Sequence, residues 1–232
     1  MALMQTVDAV PALERDLRAI FGQRLQSMVV YGRRAQAASD GHGDHAGHGS
    51  GPITHTLAVV DALSHDDLRK CAAHVQSWHD AGLDTPLLLG AREFSRSLDA
   101  FPFEFGAILA DHEVVSGPNP FEGLSVDRAD LRRACEVQAR SHMLHLREGF
   151  IETEGRNDRL AELVARSAPA LAALLKHVAG LTATPVATGV LLRVAELAPG
   201  GTISSDEARR IFPEYLDAVD QLATQLDRWS AA

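Results

Sequence analysis

The sequence predicts an α+β fold in which a small mixed sheet with flanking helices precedes a C-terminal helical bundle. Short apolar runs typical of strands alternate with helical patterns in the first half of the 232 residues, whereas only helical patterns follow. The change coincides with Gly-Pro-Asn-Pro at residues 117–120, which marks a turn or linker. We therefore predict an α/β domain over residues 1–118 and a helical domain over residues 119–232.

The elements predicted for the first domain follow the order α, β, β, α, β, α, β. Apolar residues at helical spacing predict a first helix over Asp8–Leu25. Short apolar runs bounded by turn residues predict strands over Ser27–Tyr31, Thr54–Val60, Thr85–Leu89 and Phe101–Leu109, with Val114 and Val115 extending the sheet. Ser64 and Asp67 have the spacing of a capping box, so a helix is expected from there to about Ala81, with a short helical segment over Ala91–Ser97.

Helix caps and prolines divide the second domain. The predicted helices and breaks are Asp127–Gly149, Asn157–Val178 with a break or kink at Pro169, a third helix from Thr184–Pro185, a capping box at Ser204–Glu207 and a restart at Pro213. The last helix carries an apolar stripe of Tyr215, Leu216, Val219, Leu222, Leu226 and Trp229. Burial of this stripe requires a bundle or a homodimer through the C-terminal helices.

Composition and charge argue against several classes of protein. No apolar run approaches the roughly 18 residues that cross a bilayer, and the N-terminal segment lacks the features of a signal peptide. Both cysteines, Cys71 and Cys135, fall in helical patterns, which argues against a disulfide framework and predicts a cytoplasmic location. A formal net charge of -9 repels phosphate backbones, so a small molecule or a protein is the expected partner rather than a nucleic acid.

A low-complexity segment over residues 36–52 is rich in Gly, His, Asp and Ala and has neither helical nor strand periodicity. We predict that it forms a mobile loop. His42, His45 and His48 are spaced three residues apart within it, with Asp40 and Asp44 near by. Imidazole and carboxylate groups suit zinc and similar ions, so these histidines are candidate metal ligands, and the alternative is a disordered insertion without a metal site.

Three segments resemble the nucleotidyltransferases of the polymerase β type. Met28–Gln36 (MVVYGRRAQ) corresponds to the family's first strand and glycine turn, Thr54–Asp61 (THTLAVVD) to the strand with its Asp-x-Asp pair, and Glu104 in FPFEF to its third carboxylate. The continuation His112–Phe150 is similar to proteins in which such a domain precedes helices of the kanamycin-nucleotidyltransferase or HEPN type. The resemblance implies a nucleotide at the turn, a magnesium ion, and Glu104 as a catalytic residue.

The sequence departs from that family at the residues on which catalysis depends. Thr54, His55 and Thr56 stand where the family has its aspartate pair, and Arg33 stands in place of the serine of the turn. Magnesium requires hard oxygen ligands, and its charge stabilises the transition state of phosphoryl transfer. We therefore predict a catalytically degenerate protein. On its strand, His55 should point away from the face of the two threonines and be buried and hydrogen-bonded.

Gly32, Arg33 and Arg34 form a candidate site for a nucleotide or another small anionic ligand. Backbone amides and guanidinium groups bind phosphate oxygens without a metal ion. The alternative is that Gly32 only permits a turn and that both arginines are solvated.

Two other functions stay open on the sequence alone. One is an active nucleotidyltransferase that modifies a small molecule, with a non-standard metal site made up of Glu104 and the acids or histidines of the loop. The other is a component of a toxin–antitoxin-like pair, since Arg140 and His145 match the R-x4-H motif of HEPN ribonucleases. His142 and His145 also lie three residues apart on one predicted helix, where we expect hydrogen bonds across a domain interface rather than a shared metal ion.

Overall fold

The computed structural model describes residues 2–32, 53–94, 96–181, 189–198 and 200–229, and the backbone alone for residues 2–8. The chain divides into two compact units, Met1–Val126 and Asp127–Ala232. The first contains a four-stranded mixed sheet and the second consists of packed helices, so the predicted α+β class is confirmed. None of the described helices is long and apolar enough to cross a membrane.

The strands of the first unit are β1 (Leu25–Tyr31), β2 (His55–Val60), β3 (Leu87–Gly90) and β4 (His112–Ser116). Their order in the sheet is β3-β2-β1-β4. β1 is antiparallel to β2 and to β4, whereas β2 and β3 are parallel. The two central strands are buried over most of their length, which explains their nearly continuous apolar sequences.

Helices cover both faces of the sheet. They are α1 (Ala2–Phe21), α2 (His65–Ala72), α3 (Val75–Asp80), α4 (Ala91–Phe94), α5 (Ser97–Ala100) and α6 (Pro102–Ala110). One face packs on α1–α3 in a cluster that includes Leu13, Leu17, Met28, Val30, Ala58, Val60 and Trp78. The other packs on α4–α6 in a cluster of Val29, Leu57, Val59, Phe94, Phe105, Ile108 and Phe121. Alternate residues of each central strand thus enter different cores.

Residues 101–109, predicted as a strand, lie almost entirely in a helix, and that prediction is wrong. Pro102 is the first residue of α6, where its missing N–H costs nothing, and Phe105 and Ile108 follow on the buried side. A short apolar run is compatible with a strand or with a buried helix. Here the three-residue spacing of the buried positions belongs to the helix, and the sheet is completed by β4.

Ser64 begins α2 with the predicted capping box. Its hydroxyl accepts a hydrogen bond from the N–H of Asp67, whose carboxylate accepts one from the N–H of Ser64 at 3.0 Å. Arg24 donates to both oxygens of the same carboxylate, at 2.9 and 2.7 Å, and holds the pKa of Asp67 well below its usual range. The predicted continuous helix to Ala81 is instead divided into α2 and α3.

The segment after residue 118 packs on the first unit. Phe121 is buried, with its ring 5.4 Å from the ring of Phe94 and 4.8 Å from that of His112, measured between centroids. Gly117 has a φ of +76°, and a β-carbon at this position would collide with the carbonyl oxygen of Gln26. The turn therefore folds Phe121 back onto the sheet, and the first unit extends to Val126.

The described helices of the second unit are α7 (Arg128–Glu152), α8 (Asn157–Leu181), α9 (Gly189–Ala195) and α10 (Ser205–Arg228). Asp127 accepts a hydrogen bond from the N–H of Ala129 at 2.6 Å, and Ser204 accepts one from the N–H of Glu207 at 3.3 Å. Both N-caps are confirmed, but the capping box predicted at Ser204–Glu207 is only half formed, because the carboxylate of Glu207 pairs with Arg193. The predicted helix start at Thr184–Pro185 lies outside the described residues.

Two prolines lie inside helices of the second unit. Pro169 is within α8 and Pro213 within α10, and neither helix ends there, so the predicted restart at Pro213 is wrong. An interior proline removes one backbone hydrogen bond. Each proline has buried residues both before and after it in its helix. Their packing keeps the helices continuous, because tertiary packing supplies most of a helix's stability.

The apolar stripe of α10 is covered within the second unit. Tyr215, Val219, Leu222 and Leu226 are all buried, and α10 packs against α7 and α8. The bundle that the stripe predicted is therefore present, and a homodimer is not needed to bury it.

Candidate anion-binding site at the ends of the central strands

The ends of β1 and β2 meet at the turn where the sequence resemblance places the ligand. Tyr31, the last residue of β1, lies opposite His55, the first residue of β2. Gly32 follows with a φ of +75°, in the left-handed region that favours glycine. Asp84, which precedes β3, hydrogen-bonds to His55. We call Tyr31, Gly32, His55 and Asp84 the strand-end site.

Backbone hydrogen bonds hold Asp84 beside His55. The N–H of Thr54 donates to the carbonyl of Gly82 at 2.9 Å, and the N–H of Asp84 donates to the carbonyl of Thr54 at 3.0 Å. The Asp84 Oδ1 accepts a bond from the N–H of Thr85 at 2.7 Å, while its Oδ2 lies 3.1 Å from the Nδ1 of His55. The carboxylate is thus oriented by the backbone as well as by the imidazole.

His55 and the two flanking threonines lie on opposite faces of β2, as predicted. Thr54 and Thr56 are only 6% and 1% exposed, and they share the face of Ala58 and Val60, which packs on α1–α3. Among the described residues, the Oγ1 of Thr56 is buried without a hydrogen-bond partner. The side chain of His55 is hydrogen-bonded but 27% exposed, so the prediction that it is buried is wrong.

Tyr31 completes the wall of the strand-end site. Its ring stacks on the imidazole of His55, with the centroids 5.6 Å apart and the planes 25° apart. Burial, and to a smaller extent the charge of Asp84, raises the pKa of Tyr31. The phenol is therefore neutral at physiological pH, and it offers a hydroxyl and a ring face rather than a charge.

Gly32 contributes a turn rather than a free amide. Its N–H donates to the carbonyl oxygen of Asp111 at 2.9 Å, which ties the turn to the connection between α6 and β4. A β-carbon at Gly32 would lie 3.9 Å from the Cδ2 of His55, an ordinary contact, so the positive φ explains the glycine better than close packing does. A role for Gly32 in ligand binding stays a prediction.

Most other candidate residues from the sequence lie outside the described residues, namely Arg33, Arg34, Asp40, Asp44, His42, His45 and His48. Glu104 lies on α6 and is exposed. It therefore does not come from a strand as the resemblance implied, and its catalytic role stays a prediction.

The residues present do not fit the magnesium site that the resemblance implies. Neutral hydroxyls of Thr54 and Thr56 replace the two carboxylates, and both face a packed layer of helices. Magnesium is bound through carboxylates and water in near-octahedral geometry. Within the part of the chain that the structure describes, no group of three or more His, Cys, Asp or Glu residues could hold a metal ion.

The pair of Asp84 and His55 has a different chemistry. A carboxylate on Nδ1 fixes the orientation of an imidazole and directs its Nε2 to another partner, either a proton or a ligand atom. Sequence inspection missed this pair because 29 residues separate its members and only the sheet brings them together. It also missed Tyr31, for which one signal was present, namely its position directly before Gly32.

The histidines of the second unit do not form a site together. His145 is exposed and lies 3.3 Å from a carboxylate oxygen of Glu148, whereas the Nε2 of His142 lies 2.6 Å from the hydroxyl of Tyr215 inside the bundle. His142 is therefore hydrogen-bonded as predicted, but to another helix of the same unit and not across a domain interface. Arg140, the other residue of the R-x4-H motif, pairs with Glu136 at 2.9 Å.

Comparison with known proteins gives structural similarity without a match to a family model or a curated sequence. No protein-family model matches the chain, and no curated protein matches its sequence. The crystal structure of spectinomycin adenyltransferase AAD(9) from Enterococcus faecialis with ATP and spectinomycin is similar over 96% of this chain and 99% of its own, with a TM-score of 0.46 and 11% sequence identity. That protein is itself a nucleotidyltransferase, the class that the sequence resembles.

Proposed function

We propose that the chain is a nucleotidyltransferase-like protein that lacks magnesium-dependent nucleotidyl transfer and binds a small anionic ligand, first of all a nucleotide, at the strand-end site. One observation carries this proposal: neutral, buried Thr54 and Thr56 occupy the positions of the aspartate pair. Nucleotidyl transfer depends on metal charge to stabilise its transition state. The hydroxyl groups of Thr54 and Thr56, which face a packed helix layer, do not bind the metal ion that supplies this charge.

Charge beside the turn supports an anionic ligand. Arg33 and Arg34 follow Gly32 directly in the chain, and guanidinium groups form strong charge-assisted bonds with phosphate oxygens. His55, held by Asp84, adds a ring nitrogen that can donate or accept a hydrogen bond. We expect side chains to dominate recognition, because the amide of Gly32 already donates to Asp111.

Isothermal titration calorimetry with ATP, with and without magnesium chloride, tests this proposal. We expect binding that does not require magnesium and that leaves ATP intact. The double variant Arg33→Ala/Arg34→Ala should weaken binding about tenfold or more, because a hydrogen bond to a charged group contributes about 1.5–3 kcal/mol. The matched control is Arg15→Ala/Arg166→Ala, which removes the same charge from two exposed positions on helices and should leave the affinity unchanged.

Two results would overturn the proposal. Magnesium-dependent release of pyrophosphate or transfer of AMP to a small molecule would show an active enzyme. In that case Glu104→Ala would show whether this residue takes part, since turnover should cease without it. If the folded protein binds neither ATP nor inorganic phosphate, the proposal that the strand-end site binds an anion is wrong.

A further inference from the structure

The second unit contains a pocket of about 210 Å³ where the turn between α7 and α8 faces α10. Its lining includes Phe150, Arg156, Asn157, Arg209 and Phe212. None of them belongs to the strand-end site, so a ligand of this pocket is independent of the function proposed above.

Two stacked aromatic rings form an apolar wall of the pocket. The centroids of Phe150 and Phe212 are 4.9 Å apart, and their planes differ by 15°. Phe212 is 4% exposed and supports Phe150 from within the bundle, whereas Phe150 is 46% exposed. The part of the Phe150 ring that Phe212 leaves uncovered suits a planar apolar group, because aromatic rings favour stacked contacts.

Positive charge surrounds this wall. Arg156 is already paired with Asp158 at 2.8 Å, but no described carboxylate lies within ion-pair distance of Arg209. α8 begins at Asn157, so the partial positive charge of a long helix's N-terminus adds to the guanidinium group of Arg209, while Asp158 in the first turn of α8 offsets the charge of Arg156. In a chain with a net charge of -9, this combination favours an anionic group at the pocket.

The volume of the pocket limits the ligand to one ring. An engineered cavity of about 150 Å³ binds benzene, whereas sites for drug-sized ligands usually measure about 300–1,000 Å³. We propose that the pocket binds a monocyclic aromatic carboxylate, with its ring against Phe150 and its carboxylate on Arg209. A nucleotide is too large for a volume of about 210 Å³.

Titration of the ¹⁵N-labelled full chain with benzoate, followed by amide chemical shifts, tests this proposal. We expect saturable shifts in residues 149–157 and 209–216. Arg209→Gln should weaken binding about tenfold through the loss of a charge-assisted bond. Arg210→Gln is the matched control, because Arg210 is the adjacent exposed arginine and does not line the pocket. Phe150→Ala should also weaken binding, and the dispersion of each spectrum reports whether the variant is folded.

Benzyl alcohol, which has the ring without the charge, separates the two parts of the proposal. Weaker binding of benzyl alcohol than of benzoate supports an anion site. Equal shifts with both probes, shifts that do not saturate, or equal effects of Arg209→Gln and Arg210→Gln would overturn it. Binding of ATP at the strand-end site would be unaffected by any of these results.

Discussion

His142 belongs to a buried polar network within the second unit. Its Nε2 lies 2.6 Å from the hydroxyl of Tyr215, which lies 3.0 Å from the hydroxyl of Ser167. Ser167 in turn donates to the carbonyl of Val164 at 2.8 Å. All three contacts are satisfied when the neutral imidazole donates to Tyr215 and Tyr215 donates to Ser167. Burial lowers the pKa of His142 to about 4, with a smaller contribution from the charge of His145.

This pKa predicts a loss of stability in acid. Between the unfolded pKa of about 6.5 and the folded pKa, the unfolded state binds a proton at His142 that the folded state excludes, so stability falls as the pH decreases. The loss should reach about 3 kcal/mol near pH 4 and be absent at pH 7. Urea unfolding at pH 7 and pH 4.5 measures it.

The variant His142→Gln is the control for this prediction. It should be less stable at pH 7, because it disturbs the contact with Tyr215, but its stability should change less between the two pH values. Equal pH dependence of the variant and the native chain would contradict the assignment to His142.

The sequence predicted these residue contacts only in part. The spacing on a helix indicated that His142 is hydrogen-bonded, and strand alternation placed His55 away from the threonines. The partners could not be predicted, since Tyr215 and Asp84 lie 73 and 29 residues away in the chain. Their pairing depends on packing that a single sequence does not reveal.

At the scale of elements, α7 and α8 approach closely at a glycine. A β-carbon at Gly149 would lie 2.5 Å from the Cδ1 of Leu163, so a side chain at this position would collide with α8. Gly180, near the end of α8, has nothing within 4 Å of the corresponding position. Substitution of these two glycines therefore distinguishes the effect of helix propensity, which applies at both positions, from the effect of packing, which applies at Gly149 alone.

We expect Gly149→Ala and Gly180→Ala to have opposite effects. At Gly180, alanine should stabilise the protein by up to about 1 kcal/mol, because it favours the helix. At Gly149, overpacking should outweigh the same gain and give a net loss of about 1–2 kcal/mol. Chemical denaturation of both variants measures the difference in stability. A gain in stability for Gly149→Ala would show that α8 accommodates the added methyl group without cost.

Elements with an unambiguous sequence pattern were predicted correctly, whereas elements with an ambiguous pattern were not. β1 and β2 were predicted because apolar runs bounded by turn residues left one interpretation. The segment that forms α6 was assigned to a strand because periodicity alone does not distinguish a short buried helix from a strand. α10 was divided at Pro213 because local propensity ignores the packing that keeps the helix continuous.

On the scale of the whole molecule, the change from mixed to purely helical patterns predicted both parts of the fold. The sequence could not show that Phe121 returns to the first unit after the prolines, because that depends on a core formed by distant residues.

The predicted homodimer stays a prediction, but the structure offers a different helix surface for its interface. Large apolar side chains at Val137, Leu144 and Ile151 of α7 are 67%, 52% and 76% exposed. They recur every seven residues, the spacing of a helix-packing seam.

If the chain forms a homodimer through its C-terminal helices, we expect this stripe of α7 to be the interface rather than the buried stripe of α10. The double variant Leu144→Asp/Ile151→Asp should then be monomeric, because charges on such a seam are costly to desolvate. Light scattering over a concentration series measures the mass. The control Leu68→Asp, at an apolar residue of the first unit that is 44% exposed, should not change it. A dimer that persists in the double variant would contradict this assignment.

The burial of Thr54 and Thr56 makes the loss of the acidic pair difficult to reverse. An aspartate at either position would enter a closely packed apolar layer, where it would either stay ionised at a large cost in free energy or take up a proton and no longer attract a cation. That cost is comparable with the total stability of an ordinary domain, about 5–15 kcal/mol. Single substitutions back towards an enzyme would therefore either destabilise the chain or leave a neutral carboxyl group, and neither outcome creates a metal site unless the helices over that face of the sheet move away.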